Sequence, residues 1–290
     1  MSGWALLRAM RPHQWVKNGF VLIPVVFAQA LTEWSLMQRA LGALGCFCAI
    51  SSAVYLLNDS LDYEADRLHP SKRLRPIASG QLSIRTALST ALVLALLTLG
   101  LAYVLRPLLA MVIACYALLN VAYTTRLKRI AYVDVLCIAL GFELRVFGGA
   151  VATGIDTTAA LYGITLLLSL FLGFGKRLHE VMQGEHSKHQ RQVLRFYSPK
   201  ILQTLLLLCA LATLGCYLLT TLSKETRQAL GTDYLAVTVL PASYGMLRFA
   251  KLVMRRSPVS PTDQMLRDTP FLANLCLWSA CVFLLVYLQV

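Results

Sequence analysis

Charge is scarce in this chain of 290 residues: 14% are Asp, Glu, Lys or Arg, against 57% apolar. So few charged groups cannot coat the two soluble domains that the length would otherwise suggest, and so much apolar content excludes disorder. Cysteine is missing from the loops. All eight (Cys46, Cys48, Cys115, Cys137, Cys209, Cys216, Cys276 and Cys281) fall in apolar runs, which excludes a disulfide framework and a CxxC zinc pattern and leaves them as small packing residues. The five histidines, His13, His69, His179, His186 and His189, have no metal-ligand spacing with those cysteines, so zinc and haem are disfavoured. No GxxxxGK[ST] loop and no Ser or Cys nucleophile motif is present. A cleavable signal pattern is also lacking, since Arg8, Arg11 and Lys17 precede a long first apolar run; the N-terminus is expected to be retained.

What the chain does have is apolar length. Nine runs, at about 18–32, 37–57, 84–105, 107–123, 133–153, 159–175, 201–222, 233–252 and 271–288, approach the roughly 20 residues that take a helix across a bilayer. The expectation is an all-α, polytopic membrane protein with nine transmembrane helices, forming a single transmembrane catalytic domain over residues 1–290. The formal charge of +13 would suggest nucleic acid in a soluble protein, but its placement argues for membrane orientation instead. Of the 27 Lys and Arg, Arg145 lies inside a run and only Arg39, Arg106, Lys224 and Arg227 fall in loops opposite the N-terminal side. The positive-inside rule then predicts an inner-membrane protein with a cytoplasmic N-terminus and an external C-terminus. Part of the excess is available to an anionic substrate or lipid.

The polar inner loops 58–83, 124–132 and 176–200 predict a working face toward the cytoplasm. A fourth, 253–270, carries Arg255, Arg256, Pro258, Pro261 and Pro270 and reads as a connector. The first of these loops is the most informative, because Asp59, Asp62, Glu64 and Asp66 crowd four of the chain's 14 carboxylates into one short stretch after Asn58. If the second run continues as helix, Asp59, Asp62 and Asp66 share one face within an arc of about 60°. Converging carboxylates repel, and a divalent cation with oxygen ligands relieves them; Mg²⁺ suits best, and its shell is usually completed by substrate phosphates. The run His69-Pro70-Ser71-Lys72-Arg73-Leu74-Arg75-Pro76 follows, ending at Gly80; its cations suit phosphate oxygens and its prolines hold it out of helix. The plainer alternative is a solvated acidic helix end paired with Arg67, Lys72 and Arg73.

Two further clusters are candidates. Tyr123, Lys128 and Asp134 precede or open the fifth run, with Asp134 either a helix-start carboxylate favoured by the dipole or a ligand-facing acid. Arg145 lies on the same face roughly 16 Å deeper at 1.5 Å per residue, so it should face an internal cavity or pair with Glu143 or another acid. Glu143 points nearly opposite Asp134 and is expected to be structural or supporting. Lys176 and Arg177 end the sixth run and suit either a phosphate or the membrane boundary. Trp15 and Lys17 read as an interfacial anchor and a headgroup contact.

Asn58-Asp59, Asp62 and Asp66 match the NDxxDxxxD signature, and on it the chain resembles the UbiA superfamily of intramembrane prenyltransferases. Arg11-Pro12, Gln14 to Asn18, Asp66-Arg67, His69-Pro70, Lys72, Arg75 to Gly80, Tyr123, Leu127-Lys128, Asp134-Val135, Gly141-Phe142 and Leu144-Arg145 look like its decaprenyl-phosphate phosphoribosyltransferase branch. The resemblance is good over residues 11–180 and rests on hydropathy alone beyond. It implies nine helices around a central cavity open to the cytoplasm and a role in cell-envelope biosynthesis. The implied reaction is Mg²⁺-dependent transfer of 5-phosphoribose from phosphoribosyl pyrophosphate to a polyprenyl phosphate. Asp59, Asp62 and Asp66 would hold the metal, and Asp134 would orient the ribose or a second metal. Lys17, Asn58, Lys72, Arg75, Tyr123, Lys128, Arg145, Lys176 and Arg177 would contact substrate. One departure matters: aromatic prenyltransferases of the superfamily carry a second DxxxD motif here, but the fourth place after Asp134 is Ile138. Prenyl transfer from an allylic diphosphate is therefore the alternative reading, and a membrane transporter a third. The bilayer is a partner, nucleic acid is not, and a homo-oligomer is left open.

Overall fold

The computed structural model describes residues 3–70, 72–183, 192–255, 257 and 259–288. Ser71, Arg256 and Pro258, and residues 184–191 with His186 and His189, lie outside the described residues. The described residues form helices and no strand. In chain order these are α1 (Gly3–Met10), α2 (Ile23–Phe27), α3 (Trp34–Leu61), α4 (Tyr63–Leu68), α5 (Ile84–Leu105), α6 (Pro107–Thr125), α7 (Val133–Thr153), α8 (Ala159–Met182), α9 (Pro199–Leu222), α10 (Lys224–Leu230), α11 (Val239–Val253), α12 (Pro261–Met265) and α13 (Thr269–Tyr287).

Seven of them, α3, α5, α6, α7, α8, α9 and α13, are long and apolar enough to cross a membrane. The other two expected runs are not single α-helices. Residues 18–32 become the end of a 3-10 segment, Pro12–Leu22, followed by the five-residue α2. Residues 233–252 become a 3-10 turn, Leu235–Thr238, followed by the 15-residue α11. Proline explains the first interruption: Pro12 and Pro24 each stand at a helix start, where a missing N–H costs nothing, whereas in an α-helix interior it would break the ladder.

The chain divides into two compact units, Met1–Leu127 with Gly141–Asp156, and Lys128–Leu140 with Thr157–Val290. In the first, α3 packs on α5 and α6, around Phe47, Ile50, Leu109, Ile113 and Tyr116. Its α5 buries only Ala87, Ala91, Thr98 and Ala102 and leaves Leu92, Leu96, Leu97, Leu101 and Val104 exposed. That division is what lipid demands, since apolar side chains gain nothing by leaving hydrocarbon while small ones let backbones approach. The second unit packs α8 on α9 and α11 on α13, around Phe171, Phe174, Leu178, Leu202 and Phe249. Arg248 there donates from Nε and Nη2, both at 2.9 Å, to Asp268, whose Oδ1 also caps the start of α13 at Phe271 N–H.

In the first unit the closest backbone approach is at Gly149, where a Cβ would stand 1.9 Å from the Val21 carbonyl oxygen. A backbone oxygen cannot swing aside as a side chain does. Gly149→Ala is therefore expected to destabilise the protein by about 1–3 kcal/mol, read as a lower thermal midpoint in detergent. Gly45→Ala, on the same unit's α3 with nothing within 4 Å, is the neutral control.

Candidate active site

The acidic stretch ends α3 and begins α4. The shared face of Asp59, Asp62 and Asp66 was conditional on helix continuing past Asn58; α3 stops at Leu61 and Asp62 forms a turn, with φ −90° and ψ 9°. The i to i−4 hydrogen bonds nevertheless continue across the break, from Asp62 N–H to Asn58 O at 2.9 Å and from Asp66 N–H to Asp62 O at 2.8 Å. Helical register thus survives and carries Asp59 and Asp66 to the same place. Both are buried, at 2% and 3% exposure, and two arginines meet them. Arg11 Nη2 donates to both oxygens of Asp59 at 2.5 and 2.7 Å. Arg75 Nη1 bridges the two acids, at 3.1 Å from Asp59 Oδ1 and 2.5 Å from Asp66 Oδ2. Burial pushes the Asp66 carboxyl above the usual range, against the downward pull of Arg75 and Lys72.

This corrects the sequence reading in two respects. Arg11, which no reading had paired with the acids, and Arg75 hold them directly, and Lys72 adds its charge beside Asp66, whereas Arg67 of the plainer alternative donates to the Tyr63 hydroxyl. Nor do three carboxylates make a cage: among the described residues no three His, Cys, Asp or Glu side chains are gathered closely enough to hold a metal by themselves. Asp62 is half-buried at the turn and Glu64 exposed. The donor set still fits Mg²⁺. Asp59 and Asp66 already converge on one positive group, Arg75 Nη1, and magnesium is commonly held by one or two carboxylates plus phosphate oxygens.

Deeper in the same unit, Arg145 on α7 is 6% exposed. Of the two expected arrangements, an internal cavity or an acidic partner, the second is not seen among the described residues. Its Nε donates to Asn18 Oδ1, its Nη1 to Gly141 O and its Nη2 to Tyr116 OH, each at 2.7 Å. The guanidinium also lies over the rings of Tyr116 and Phe142, at 4.8 and 5.2 Å. Ser51 joins the network, 3.1 Å from Tyr116 OH. Neutral dipoles and aromatic faces solvate this cation without cancelling its charge. Glu143, two residues earlier on α7, keeps a buried Oε1 with no hydrogen-bond partner among the described residues.

In the second unit Asp134 opens α7 with no exposure at all. Arg177 Nε, 1% exposed, donates to its Oδ2 at 2.7 Å, and Arg177 Nη1 reaches Glu180 at 2.5 Å. The Tyr197 hydroxyl donates to the other oxygen, Oδ1, and accepts the Tyr132 N–H at 2.9 Å. Tyr132 has φ 66°, left-handed for a residue with a bulky side chain, so Tyr197 ties down both the strained turn before α7 and the acid within it. Burial first, and the bond to Asp134 second, raise the Tyr197 hydroxyl above its usual range, which keeps it a donor. Arg177, expected at a phosphate or the membrane boundary, is held by two carboxylates.

The remaining expected residues differ in exposure. Lys17 is exposed on the 3-10 segment, and Asn58, Lys72, Tyr123, Lys128 and Lys176 are half-buried. Lys72 N–H donates to His69 Nδ1 at 3.3 Å. Trp15, read as an interfacial anchor, instead donates to Ser52 Oγ on α3 at 3.0 Å. Four residues given no role beforehand carry the geometry: Arg11, Asn18, Tyr116 and Tyr197. Arg11 and Asn18 at least lay inside stretches that drew notice; Tyr116 and Tyr197 sit in ordinary apolar or loop context and gave no local signal.

The sequence profile described as the UbiA prenyltransferase family matches residues 20–278. The decaprenyl-phosphate phosphoribosyltransferase of Corynebacterium glutamicum is 31% identical, covering 98% of this chain and 87% of that one. The enzyme of the same name from Mycobacterium tuberculosis is 33% identical, over 96% and 92%. Among solved structures, a UbiA homolog from Archaeoglobus fulgidus bound to DMAPP and Mg²⁺ superposes with a TM-score of 0.73 at 19% identity, covering 97% of this chain and 98% of that one.

Proposed function

The chain belongs to the UbiA prenyltransferase family of integral membrane proteins, and on that premise we propose that it transfers 5-phosphoribose from phosphoribosyl pyrophosphate to a polyprenyl phosphate, releasing pyrophosphate. The observation that carries this reading is near-full-length similarity to decaprenyl-phosphate phosphoribosyltransferases. The lone acid at the start of α7 supports it, since Ile138 stands where a second metal-binding acid would be needed for an allylic diphosphate.

Magnesium, when bound, supplies positive charge against the diphosphate leaving group. Asp59 and Asp66, with Asp62 at the turn between them, are the residues that would hold it. Lys72 and Arg75 would share the charge of the departing pyrophosphate. As the ribose C1–O bond breaks, C1 takes on oxocarbenium character and a phosphate oxygen of the lipid forms the new bond. That oxygen is already anionic, so no side chain has to remove a proton from it, which agrees with a sequence that offers no nucleophile or general-base motif. Asp134 would orient ribose hydroxyls, held by Tyr197 and Arg177. Tyr123, Lys128 and Arg145 would meet phosphate or sugar oxygens, and Lys17 and Lys176 would lie nearer the headgroups. We read the two composite segments, Pro12–Phe27 and Leu235–Val253, as the remaining crossings of a nine-span catalytic domain whose N-terminus and active face are cytoplasmic.

Purified protein in detergent, given Mg²⁺, labelled phosphoribosyl pyrophosphate and a polyprenyl phosphate, is expected to move label into the organic phase, and chelation by EDTA is expected to stop it. The second reading, prenyl transfer, is favoured by the solved relatives bound to DMAPP or GPP with Mg²⁺. Label entering a product only from a prenyl diphosphate would replace the first reading by the second.

A further inference from the structure

Asp59 and Asp66 are buried carboxylates and need counter-charge wherever they sit. That charge is supplied from within the chain: Arg11 chelates Asp59, and Arg75 Nη1 touches Asp59 and Asp66 together. The arrangement is balanced, two negative groups against two positive. The oxygens in use, Asp59 Oδ1 and Oδ2 and Asp66 Oδ2, are also those a divalent cation would need. A carboxylate has a limited set of lone pairs and donates nothing when ionised, so guanidinium and metal compete for them.

We propose that Arg11 and Arg75 are resident counter-cations of the acid pair, which leave it when magnesium arrives with the diphosphate and close onto the diphosphate oxygens. This rests on the metal-diphosphate reading above and adds Arg11 to the residues that meet the leaving group. Charge arithmetic drives the exchange. Magnesium alone would leave two excess positive charges in a buried setting, whereas a diphosphate arriving with it brings more than enough negative charge to cancel that excess, Lys72 beside Asp66 offsetting part of the remainder. Guanidinium suits both states because its planar fork pairs equally well with carboxylate and phosphate. Lys72, which pulls the Asp66 carboxyl down, adds to the repulsion that metal alone would meet. Metal and diphosphate should therefore bind cooperatively, with the two arginines as the cause.

The test is Mn²⁺ binding to the full-length protein in detergent, followed by electron paramagnetic resonance with and without inorganic pyrophosphate. Wild type is expected to bind Mn²⁺ weakly alone and at least about tenfold more tightly with pyrophosphate. In Arg75→Gln, one positive charge fewer should tighten binding of Mn²⁺ alone by about tenfold or more and shrink the pyrophosphate effect; Arg11→Gln should act in the same sense. Because either change leaves a buried acid under-compensated, thermal unfolding is measured beside it, and Mn²⁺ alone should raise the midpoint of Arg75→Gln more than that of wild type. If wild type binds Mn²⁺ with pyrophosphate but Arg75→Gln gains neither affinity nor thermal response for Mn²⁺ alone, the exchange is overturned. If wild type binds no Mn²⁺ even with pyrophosphate, the metal reading itself falls.

Discussion

Asp59→Asn is expected to lower phosphoribosyl transfer by about a thousandfold or more, which is roughly 4 kcal/mol of transition-state stabilisation. The size follows from where the residue sits. Asp59 is contacted by both Arg11 and Arg75, so the amide removes an oxygen proposed to bind the metal and also unbalances two guanidiniums that were neutralised by it. Asp62→Asn, at the turn between the two buried acids, is expected to lose turnover as well. The measurement is initial rate in the labelled-lipid assay, together with gel filtration to verify that the variants assemble. Near-normal turnover by Asp59→Asn would remove the basis for the metal assignment.

The second large effect is on stability. Arg177→Met should cost about 3–5 kcal/mol, because it strands Asp134, which has no exposure, and takes the partner of Glu180 as well. Breaking one side of a buried ion pair is worse than removing both sides. Asp134→Asn/Arg177→Met is accordingly expected to recover a large part of the loss in thermal midpoint while remaining deficient in transfer. A single variant as stable as wild type would show that the pair does not hold this unit together. A fully active double variant would separate Asp134 from the reaction altogether.

Helix class was legible because lipid imposes a plain rule: seven apolar runs of adequate length became seven spanning-length helices. The two that did not contain or adjoin proline and reach similar hydropathy without regular geometry, a distinction that apolar counting cannot make. At the acidic stretch, spacing located Asp59 and Asp66 on one side, and Arg75 was recognised as their neighbour. What spacing could not supply was long-range pairing. Arg11 meets Asp59 from 48 residues away, Arg145 meets Asn18 from 127, and Tyr197 meets Asp134 from 63. Such partners are set by helix packing, and a local pattern carries no trace of them. The depth argument for Arg145 required either a cavity or an acid, and a third solution is used: hydroxyl, amide, carbonyl and ring faces surround it.

Arg11 reaches Asp59 from an unusual backbone: φ 55° and ψ 60°, immediately before Pro12. A left-handed residue with a side chain is uncommon, and the proline ring narrows its choices further. The peptide at this point is thus a loaded joint, clasped by the very carboxylate that catalysis is proposed to call away. Each turnover that frees Asp59 from Arg11 would slacken the joint, so the short helix ahead of it should be registering, at the far amino end of the chain, whether substrate is aboard.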